Sequence, residues 1–521
     1  MKKHSIDNLI IGIDAGTSVI KAVAFTLDGR QVAVASRSNR YTTGDDGRAE
    51  QSLAQTWADT ADALRALGEE VEGLASRTAA IAVTGQGDGT WLVGPKGEPV
   101  GDAWLWLDAR AAATTAALAR SDADPARFDA TGTGLNTCQQ GAQMAHMDRH
   151  CPERLDRAAI AFHCKDWLYF NLTGVAATDP SEASFTFGDF RTRAYDSVVL
   201  DALGLGHRRP LLPPIIEGTE QTHPLSASAA AATGLRAGTP VCLGYVDMVM
   251  SAMGAGVHTG ESGTACSAIG STGVHLRSRV DRDVQLNAER TGYVICLPVP
   301  GQVTQVQTNM AATLNIDWIL GVMAEMLTEF DQPVTGRDLV PRLDAWLRET
   351  EPAELLYHPY ISEAGERGPF VEARARAGFI GLSTRHGFKE MLRGVVDGMA
   401  LAAADCYSVM GDPPTELRLS GGAVRSPMLR ATLAAAVGSP VRICSRDEAG
   451  AAGCAMMAAV AIGAYPDMES CIADWVVPLF GDRESPDPAI ADRYQSLLPA
   501  YQRARQDLLP VWASLADRKG V

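Results

Sequence analysis

The chain has 521 residues, which is long enough for two or three domains with large cores. Hydrophobic residues make up 46% and charged residues 21%, as in ordinary globular proteins, so we expect no long disordered stretch. The formal charge of -16 argues against nucleic-acid or anionic-membrane partners, although a small anionic ligand could still bind at a local site.

Nothing in the sequence predicts export or membrane insertion. The first apolar run, residues 9–13, is interrupted by Asp14, whereas a signal peptide needs a longer apolar stretch. No window approaches the ~18 apolar residues of a membrane span. The ten cysteines include no Cys-x-x-Cys pair, and several lie in apolar runs. This pattern predicts buried, reduced thiols in a cytoplasmic protein.

The first 36 residues predict an antiparallel β-meander. The apolar run "NLIIGID" is followed by the turn "AGTS" and the strand "IKAVAFTL". Asp28-Gly29 then indicates a hairpin, and "RQVAVAS" returns as a third strand. Further along, "SLAQTWADTADALRAL" predicts a helix, and "TAAIAVTGQGDGTWLV" and "AWLWLDAR" predict more strands.

The first turn of this meander has the residues of a phosphate site. Gly16 lets a ligand approach the backbone, and the hydroxyls of Thr17 and Ser18 could contact phosphate oxygens. Asp14 could hold Mg²⁺, and Lys21 could reach a phosphate. The alternative is an ordinary hairpin with a turn-favouring Asp and Gly. The P-loop pattern is absent and no Gly-x-Gly-x-x-Gly fingerprint follows a strand, so a nucleotide bound here would use a different cradle.

A second acid stands at the end of another apolar strand. In "GYVDMVMSAMGAG", Asp247 follows the strand directly and precedes an apolar helical run. It could act as a base, or it could cap a helix that begins at Met248.

Glycines are dense over residues 254–263, which predicts a boundary between domains 1–255 and 256–521.

The second half partly repeats the pattern of the first. Residues 263–277, "GTACSAIGSTGVHLR", read as strand, Gly-Ser-Thr-Gly turn and strand, which predicts two domains of related design. Later, the strand "ELRLS" runs into Gly421-Gly422, and Ser426-Pro427 predicts a helix start. Residues 446–465 predict a small-residue helix that packs closely. A buried helix face is predicted by apolar residues at helical spacing, namely Phe388, Met391, Leu392, Val395, Val396 and Met399.

These motifs, in this order, resemble the FGGY carbohydrate kinase family over nearly the whole chain. The matching segments include "GIDAGTSVIKAV", "TGQGDG", "LWLDARA", "KDWLYFNLTG", "TDPSEAS", "GYVDMVMSAMGAG", "AIGSTGV", "GERGPF" and "SGGAVRSP". The resemblance implies an α/β fold with two actin-like (ribonuclease H-like) domains and a nucleotide cleft between them. It also implies transfer of a phosphoryl group from ATP, with Mg²⁺, to a hydroxyl group.

The resemblance also implies a role for each matching residue. Asp247 is expected to orient and deprotonate the acceptor hydroxyl, and Asp14 to position Mg²⁺. The ATP-binding residues are then Thr17, Ser18, Lys21, Gly270, Ser271, Thr272, Gly421, Gly422, Ala423 and Ser426. The expected substrate contacts are Gln86, Asp88, Trp106, Asp108 and Asp247, with Arg110, Gln140, Gln143 and Asn309 as further possibilities.

Two departures from the family pattern bear on the substrate. Xylulose kinases usually have a Met-His pair where this chain has Gly87-Asp88, and the segment "GLNTCQQGAQMAHM" lacks the lysine and tryptophan of many ketose kinases. Carboxylates accept hydrogen bonds from vicinal hydroxyls, so Asp88 favours an open-chain polyol. The resemblance implies erythritol; xylulose, ribulose, threitol and glycerol are the alternatives. A homodimer is expected, and an actin-like ATPase module without a sugar pocket is the alternative class.

Overall fold

The computed structural model describes residues 8–260 and 263–519, and for Ala423 and residues 517–519 it describes the backbone only. The first half contains the strands β1 (Leu9–Ala15), β2 (Val19–Thr26), β3 (Gln31–Ser38), β4 (Thr42–Thr43), β5 (Ala49–Gln51), β6 (Thr78–Gly85), β7 (Trp91–Val93), β8 (Ala103–Trp104), β9 (Ile160–Phe162), β10 (Gly188–Asp189), β11 (Ala194–Tyr195), β12 (Thr222–Pro224) and β13 (Pro240–Leu243). Its helices are α1 (Leu53–Glu70), α2 (Leu74–Arg77), α3 (Ala112–Ala119), α4 (Asp124–Thr131), α5 (Gln140–His150), α6 (Pro152–Asp156), α7 (Cys164–Thr173), α8 (Pro180–Phe187), α9 (Ser197–Leu203), α10 (Ala227–Thr233) and α11 (Asp247–Gly254).

The second half contains the strands β14 (Thr264–Ile269), β15 (Gly273–Val280), β16 (Tyr293–Cys296), β17 (Gln302–Asn309), β18 (Leu356–His358), β19 (Gly378–Ile380), β20 (Glu416–Ser420) and β21 (Val441–Ile443). Its helices are α12 (Thr313–Glu329), α13 (Gly336–Leu339), α14 (Leu343–Arg348), α15 (Phe388–Ser408), α16 (Pro427–Val437), α17 (Ala449–Ala461), α18 (Met468–Trp475), α19 (Pro488–Asp507) and α20 (Leu509–Lys519).

Each half is built on one six-stranded sheet, and five of the six strands follow the same order in both sheets. Read in matching directions, the first sheet runs β3-β2-β1-β6-β13-β12 and the second β16-β17-β15-β14-β20-β21. The strands β3-β2-β1-β6-β13 of the first correspond to β17-β15-β14-β20-β21 of the second. In each, a three-stranded antiparallel meander is followed by two parallel strands, β6 and β13 or β20 and β21. This shared order confirms that the two domains are of related design, as the repeated strand-turn-strand pattern predicts.

The central strand β1 is buried on both faces because its side chains alternate between two hydrophobic cores. Ile10 packs with Val23 and Phe25 on one face, and Ile11 and Ile13 pack on the other. The hairpin at Asp28-Gly29 forms between β2 and β3, with the Gly29 N–H donating to the Thr26 carbonyl. The predicted meander is therefore confirmed.

Helix α17 joins the two halves of the molecule. It lies so close to β1 that a methyl group at Gly12 would fall 2.2 Å from the Ala451 carbonyl oxygen. One hydrophobic core includes residues of β1, α11 and α17. This confirms close packing of the small-residue helix and shows that a segment of the second half packs on the first sheet. The predicted division at residues 255/256 stays a prediction, and the glycine-rich segment around it lies partly outside the described residues.

Other sequence predictions had mixed outcomes. Helix α16 begins at Pro427 with Ser426 as its cap, as predicted. The segment "AWLWLDAR" is a strand only at Ala103–Trp104, because the chain turns at residues 106–107. Helix α15 is buried on nearly all sides from Leu392 to Tyr407 instead of on one face. All ten cysteines are free thiols, and within the described chain no helix is long and apolar enough to cross a membrane.

Candidate active site

A cleft of about 380 Å³ lies between the two sheets, within the size range of small-molecule sites. Both halves of the chain line it. The sequence-predicted residues that it brings together are Thr17, Gln86, Asp88, Trp106, Asp247 and Thr272. Its lining also includes Cys138, Tyr293 and Arg367, which the sequence reasoning did not select.

The first turn is tied to the segments that line the acceptor side of the cleft. The Thr17 hydroxyl donates to Gln86 Oε1 at 3.0 Å, and the Trp106 indole N–H donates to Thr17 Oγ1 at 2.8 Å. Gln86 in turn donates to Gln51 Oε1 at 2.7 Å. Trp106 is 37% exposed, so its ring offers an apolar wall beside the turn. Thr17 therefore joins the first turn to the cleft-lining residues Gln86 and Trp106.

Asp14 lies beside the start of α17 and α11. A methyl group at Gly450 would fall 2.3 Å from Asp14 Oδ2 and 3.2 Å from Ser251 Oγ, which belongs to a cleft-lining residue. Burial raises the pKa of Asp14 to about 6, with Lys21 opposing the shift and Glu448 adding to it. Lys21 pairs with Glu448 at 2.7 Å. Ser18 is exposed at the rim of the same turn.

Asp247 is the first residue of α11 and lines the cleft. Its Oδ1 accepts the Met248 N–H at 2.6 Å, so the residue stabilises the start of its helix while it lines the cleft. Burial, reinforced by the negative charge of Asp14, raises the pKa of Asp247 well above its usual value. Because the charge of Asp14 raises the pKa of Asp247, a divalent cation bound near both acids would favour their ionised forms.

Asp88 has one carboxylate oxygen available for a ligand. Its Oδ2 accepts hydrogen bonds from the Cys138 thiol at 3.2 Å and the Tyr293 hydroxyl at 3.3 Å. Its Oδ1 is buried and has no hydrogen-bond partner among the described residues. Burial raises the pKa of Asp88, against the effect of the Cys138 hydrogen bond. A buried oxygen of this kind favours a ligand that donates a hydrogen bond.

The second turn and the double-glycine segment lie together. Gly270, Ser271 and Thr272 form the exposed turn between β14 and β15. Gly421 has a φ of 93°, and a methyl group there would fall 2.5 Å from the Ile269 carbonyl oxygen, immediately before this turn. Only glycine fits that backbone.

The space beside the double glycine is open on one side. No atom of the described chain lies within 4 Å of the place where a side chain at Gly422 would project. The backbone of Ala423 continues a short 3-10 turn over residues 422–425. The Ser426 hydroxyl caps α16 and contacts Asp344, so the protein already uses it.

The structure does not bring Asp108 to the cleft. Its carboxylate is buried, accepts the Ala49 N–H at 2.9 Å and pairs with Arg110 at 2.6 Å. Arg110 also pairs with Glu50 at 2.7 Å, so both residues serve a structural ion pair. The short spacing between Asp108 and Arg110 was a signal for such a pair.

The three further amides proposed from the sequence are also bonded to the protein. Gln140 donates to the Phe162 carbonyl, and Gln143 to the Leu105 carbonyl. Asn309 donates to the Gly368 carbonyl at 3.0 Å. They are buried, and among the described residues none of the three lines the cleft.

Sequence reasoning missed four residues around the cleft. Cys138 and Tyr293 donate hydrogen bonds to Asp88. Glu448 pairs with Lys21, and the charges of both residues affect the pKa of Asp14. Arg367 donates to Thr308 Oγ1 at 3.0 Å and lines the cleft from the second half. The segment "GERGPF", which contains Arg367, was a usable signal, whereas Tyr293 stands in an ordinary strand pattern.

Family models identify the class of protein that this fold and cleft define. The N-terminal domain model of the FGGY family of carbohydrate kinases matches residues 9–254, and its C-terminal domain model matches residues 265–462. The chain therefore belongs to the FGGY family of carbohydrate kinases. Its activity is transfer of a phosphoryl group to a hydroxyl of a sugar or polyol.

Three individual proteins, two compared by sequence and one by structure, match nearly the whole chain. The chain is 65% identical over 512 residues to the erythritol kinase of Brucella abortus (strain 2308), with 98% of both chains covered. It is 28% identical to the xylulose kinase of Escherichia coli (strain K12), with 97% of this chain and 100% of that protein covered. The crystal structure of xylulose kinase from Rhodospirillum rubrum matches with a TM-score of 0.87 at 25% identity, covering 97% of this chain and 100% of that one. These matches confirm the predicted two-domain fold.

Proposed function

We propose that this chain phosphorylates a terminal hydroxyl of erythritol with ATP. The observation that carries the proposal is the pair of acids Asp88 and Asp247 in one cleft, with Asp88 Oδ1 buried and unpartnered. A polyol hydroxyl supplies the missing hydrogen bond. The 65% identity to an erythritol kinase supports the four-carbon polyol over a ketose.

In this proposal, Asp247 orients the reacting hydroxyl and takes its proton. Phosphoryl transfer needs an acceptor oxygen in line with the leaving group, and the alcohol is only weakly acidic. A base with a raised pKa accepts the proton as the new bond to phosphorus forms. Helix α11 begins at Asp247 with Val246 in the cap position, so Asp247 is not the cap of a helix that begins at Met248. The hydrogen bond from the Met248 N–H holds Oδ1 in place, which leaves Oδ2 for the substrate.

The two turns hold the phosphates of ATP from opposite sides. Thr17, Ser18 and Lys21 act from the first domain, and Gly270, Ser271 and Thr272 from the second. The backbone of Gly421, Gly422 and Ala423 faces the adenosine, because the space at Gly422 is open. Ser426 contributes by fixing the start of α16, since its hydroxyl caps that helix.

The donor set beside the cleft fits Mg²⁺. Asp14 and Asp247 are half-buried carboxylates whose pKa values are raised, first by desolvation and then by neighbouring negative charges. Magnesium prefers carboxylate oxygens and water, and when bound it would neutralise charge on the transferring phosphate. Asp14 is the residue that would hold it.

The polyol contacts come from one face of the cleft. Asp88 accepts one or two hydroxyls, Trp106 packs against carbon–hydrogen faces, and Gln86 fixes Thr17 and the turn beside them. Tyr293 and Cys138 close the far side of Asp88. Neither Asp108 nor Arg110 takes part, because they are bonded to each other.

A coupled assay of ADP release with ATP and Mg²⁺ tests the proposal. The acceptors tested are erythritol, D- and L-threitol, glycerol, xylitol, xylulose and ribulose. Asp247→Asn is the matched control, because ADP that this variant still releases would come from another site. The proposal requires erythritol to have the highest kcat/KM and Asp247→Asn to be nearly inactive. A higher kcat/KM for a ketopentose would overturn the polyol assignment, and ADP release that needs no acceptor would favour an ATPase module.

Two further expectations stay predictions. A homodimer is tested by light scattering of the purified chain, and a cytoplasmic location by fractionation of cells that express it. Neither affects the proposed chemistry.

A further inference from the structure

A buried charge cluster lies behind the acceptor side of the cleft. Lys165 is fully buried, and its Nζ lies 2.8 Å from Asp166 Oδ1, 2.5 Å from Asp179 Oδ2 and 2.7 Å from Glu182 Oε2. His163 Nδ1 lies 3.3 Å from Asp166 Oδ2 and 3.5 Å from Glu182 Oε2. Buried charges are costly unless they are paired, so a cluster of this size needs an explanation.

Metal binding does not explain the cluster. Ligand atoms of His163, Asp166 and Glu182 lie within 4.8 Å of one another, a spacing that a cation could bridge. The Lys165 ammonium, however, already contacts both carboxylates. It already offsets part of the negative charge of these carboxylates, and it would repel a metal ion bound beside it.

The cluster reaches the cleft through Glu182. Glu182 Oε1 accepts the backbone N–H of Asp88 at 3.0 Å, while Oε2 pairs with Lys165. Asp88 has a φ of 56°, in the left-handed region that non-glycine residues seldom adopt. The hydrogen bond from Glu182 therefore stabilises an unfavourable backbone at the residue that presents its carboxylate to the cleft.

The residue before Glu182 reaches the other acid. The Ser181 hydroxyl accepts the Val246 N–H at 3.1 Å, immediately before Asp247. A methyl group at Gly87 would fall 2.4 Å from Val246 Cγ2, so the segments that carry Asp88 and Asp247 are in contact. Consecutive residues of α8 thus hold the backbone beside both acids.

We propose that Glu182 is a positioning residue that sets acceptor binding by holding Asp88 in its left-handed conformation. Lys165 and its other partners fix the Glu182 carboxylate so that Oε1 faces the Asp88 N–H. The inference rests on the proposed polyol kinase function. Its test compares variants with the wild type on whichever acceptor the wild type phosphorylates, so the two proposals can fail separately.

Three single variants distinguish loss of the Glu182–Asp88 hydrogen bond from loss of a negative charge in the cluster. Glu182→Gln keeps an oxygen that can accept the Asp88 N–H, and Asp166 and Asp179 still neutralise Lys165. Glu182→Asp keeps the charge but shortens the side chain, so the contact with Asp88 is lost. Asp166→Asn is the matched control, because it removes a charge from the same cluster, and the described contacts of Asp166 are with His163 and Lys165 and not with Asp88.

We expect loss of the hydrogen bond to change the KM for the acceptor much more than the KM for ATP. Glu182→Asp raises the acceptor KM about 10- to 100-fold, as loss of one hydrogen bond to a charged group does, with the ATP KM within about twofold. Glu182→Gln and Asp166→Asn leave the acceptor KM within about threefold while lowering the melting temperature. If all three raise the acceptor KM equally, or if Glu182→Asp raises both KM values alike, the proposal is overturned.

A double-mutant cycle supplies an independent readout. If Glu182 acts through Asp88, adding Glu182→Asp to Asp88→Ala produces no further rise in the acceptor KM. Multiplication of the two effects would mean that Glu182 acts elsewhere and would refute the proposal.

Discussion

Replacing Asp14 with asparagine is expected to stabilise the ligand-free protein and to abolish turnover. Burial raises the pKa of Asp14 to about 6, so the folded chain holds the proton more tightly than the unfolded chain does. Ionisation of Asp14 therefore costs stability, and the cost grows as the pH rises from about 4 to about 6. Relative to an ordinary aspartate, the cost is on the order of 3 kcal/mol at pH 8 and about half of that at pH 5. Asparagine has the same shape and carries no charge, so it removes this cost.

Thermal unfolding without Mg²⁺ measures the effect. For a domain of this size, 1 kcal/mol corresponds to about 2–4 °C, so Asp14→Asn should raise the melting temperature by several degrees at pH 8 and by less at pH 5. Asp28→Asn is the matched control, because hydrogen bonding from Thr26 lowers the pKa of Asp28, and that variant should gain nothing. In the wild type, Mg²⁺ should raise the melting temperature; in Asp14→Asn the gain should be smaller.

Two results would refute this reasoning. A lower melting temperature for Asp14→Asn at pH 8 would mean that the ionised carboxylate stabilises the fold. An equal gain at pH 5 and pH 8 would mean that the effect does not arise from ionisation. Retention of turnover would separately remove Asp14 from the proposed metal site.

Three further predictions concern the cleft. Asp247→Asn should lower kcat by about 10²- to 10⁴-fold and leave ATP affinity unchanged in a direct binding measurement; near-wild-type turnover would exclude it as the base. Asp88→Ala should raise the polyol KM far more than the ATP KM, and equal shifts would place Asp88 outside the acceptor site. Gly421→Ala should raise the ATP KM and lower the melting temperature, because its methyl group would meet the Ile269 carbonyl. Gly422→Ala, which faces open space, is the control, and equal destabilisation by both would contradict the steric argument.

The two strand-turn-strand hairpins that we propose to bind phosphate could be predicted from the sequence because they are local structures. β1, its turn and β2 lie within residues 9–26, and hydrophobic alternation with a glycine-containing turn specifies such a hairpin directly. The same pattern recurs at β14 and β15, so the paired domain design was also readable. Close packing of α17 followed from its small residues, although the sequence could not say that its partner would be β1.

Local patterns could not separate cleft residues from structural ones. Asp88 and Asp108 both follow strand-like runs with aromatic or glycine neighbours, and both were predicted to contact substrate. The structure distinguishes them by partners: Arg110 and the Ala49 N–H bind the carboxylate of Asp108, whereas Asp88 keeps one oxygen unpartnered. Whether a carboxylate is satisfied depends on tertiary contacts, which spacing alone does not reveal.

The acceptor side of the cleft differs from the phosphate turns in that it is assembled across the two domains. Asp88 belongs to the first half, and the Tyr293 hydroxyl that contacts it comes from β16 of the second. The Gly134 N–H donates to the Gly292 carbonyl at 2.8 Å, so the loop before Cys138 is also joined to the strand that carries Tyr293. Each phosphate turn is complete within its own sheet, but the surroundings of Asp88 exist only where both domains meet. Acceptor recognition should therefore depend on the relative position of the domains, and this makes it the part of the site that sequence patterns within one domain are least able to predict.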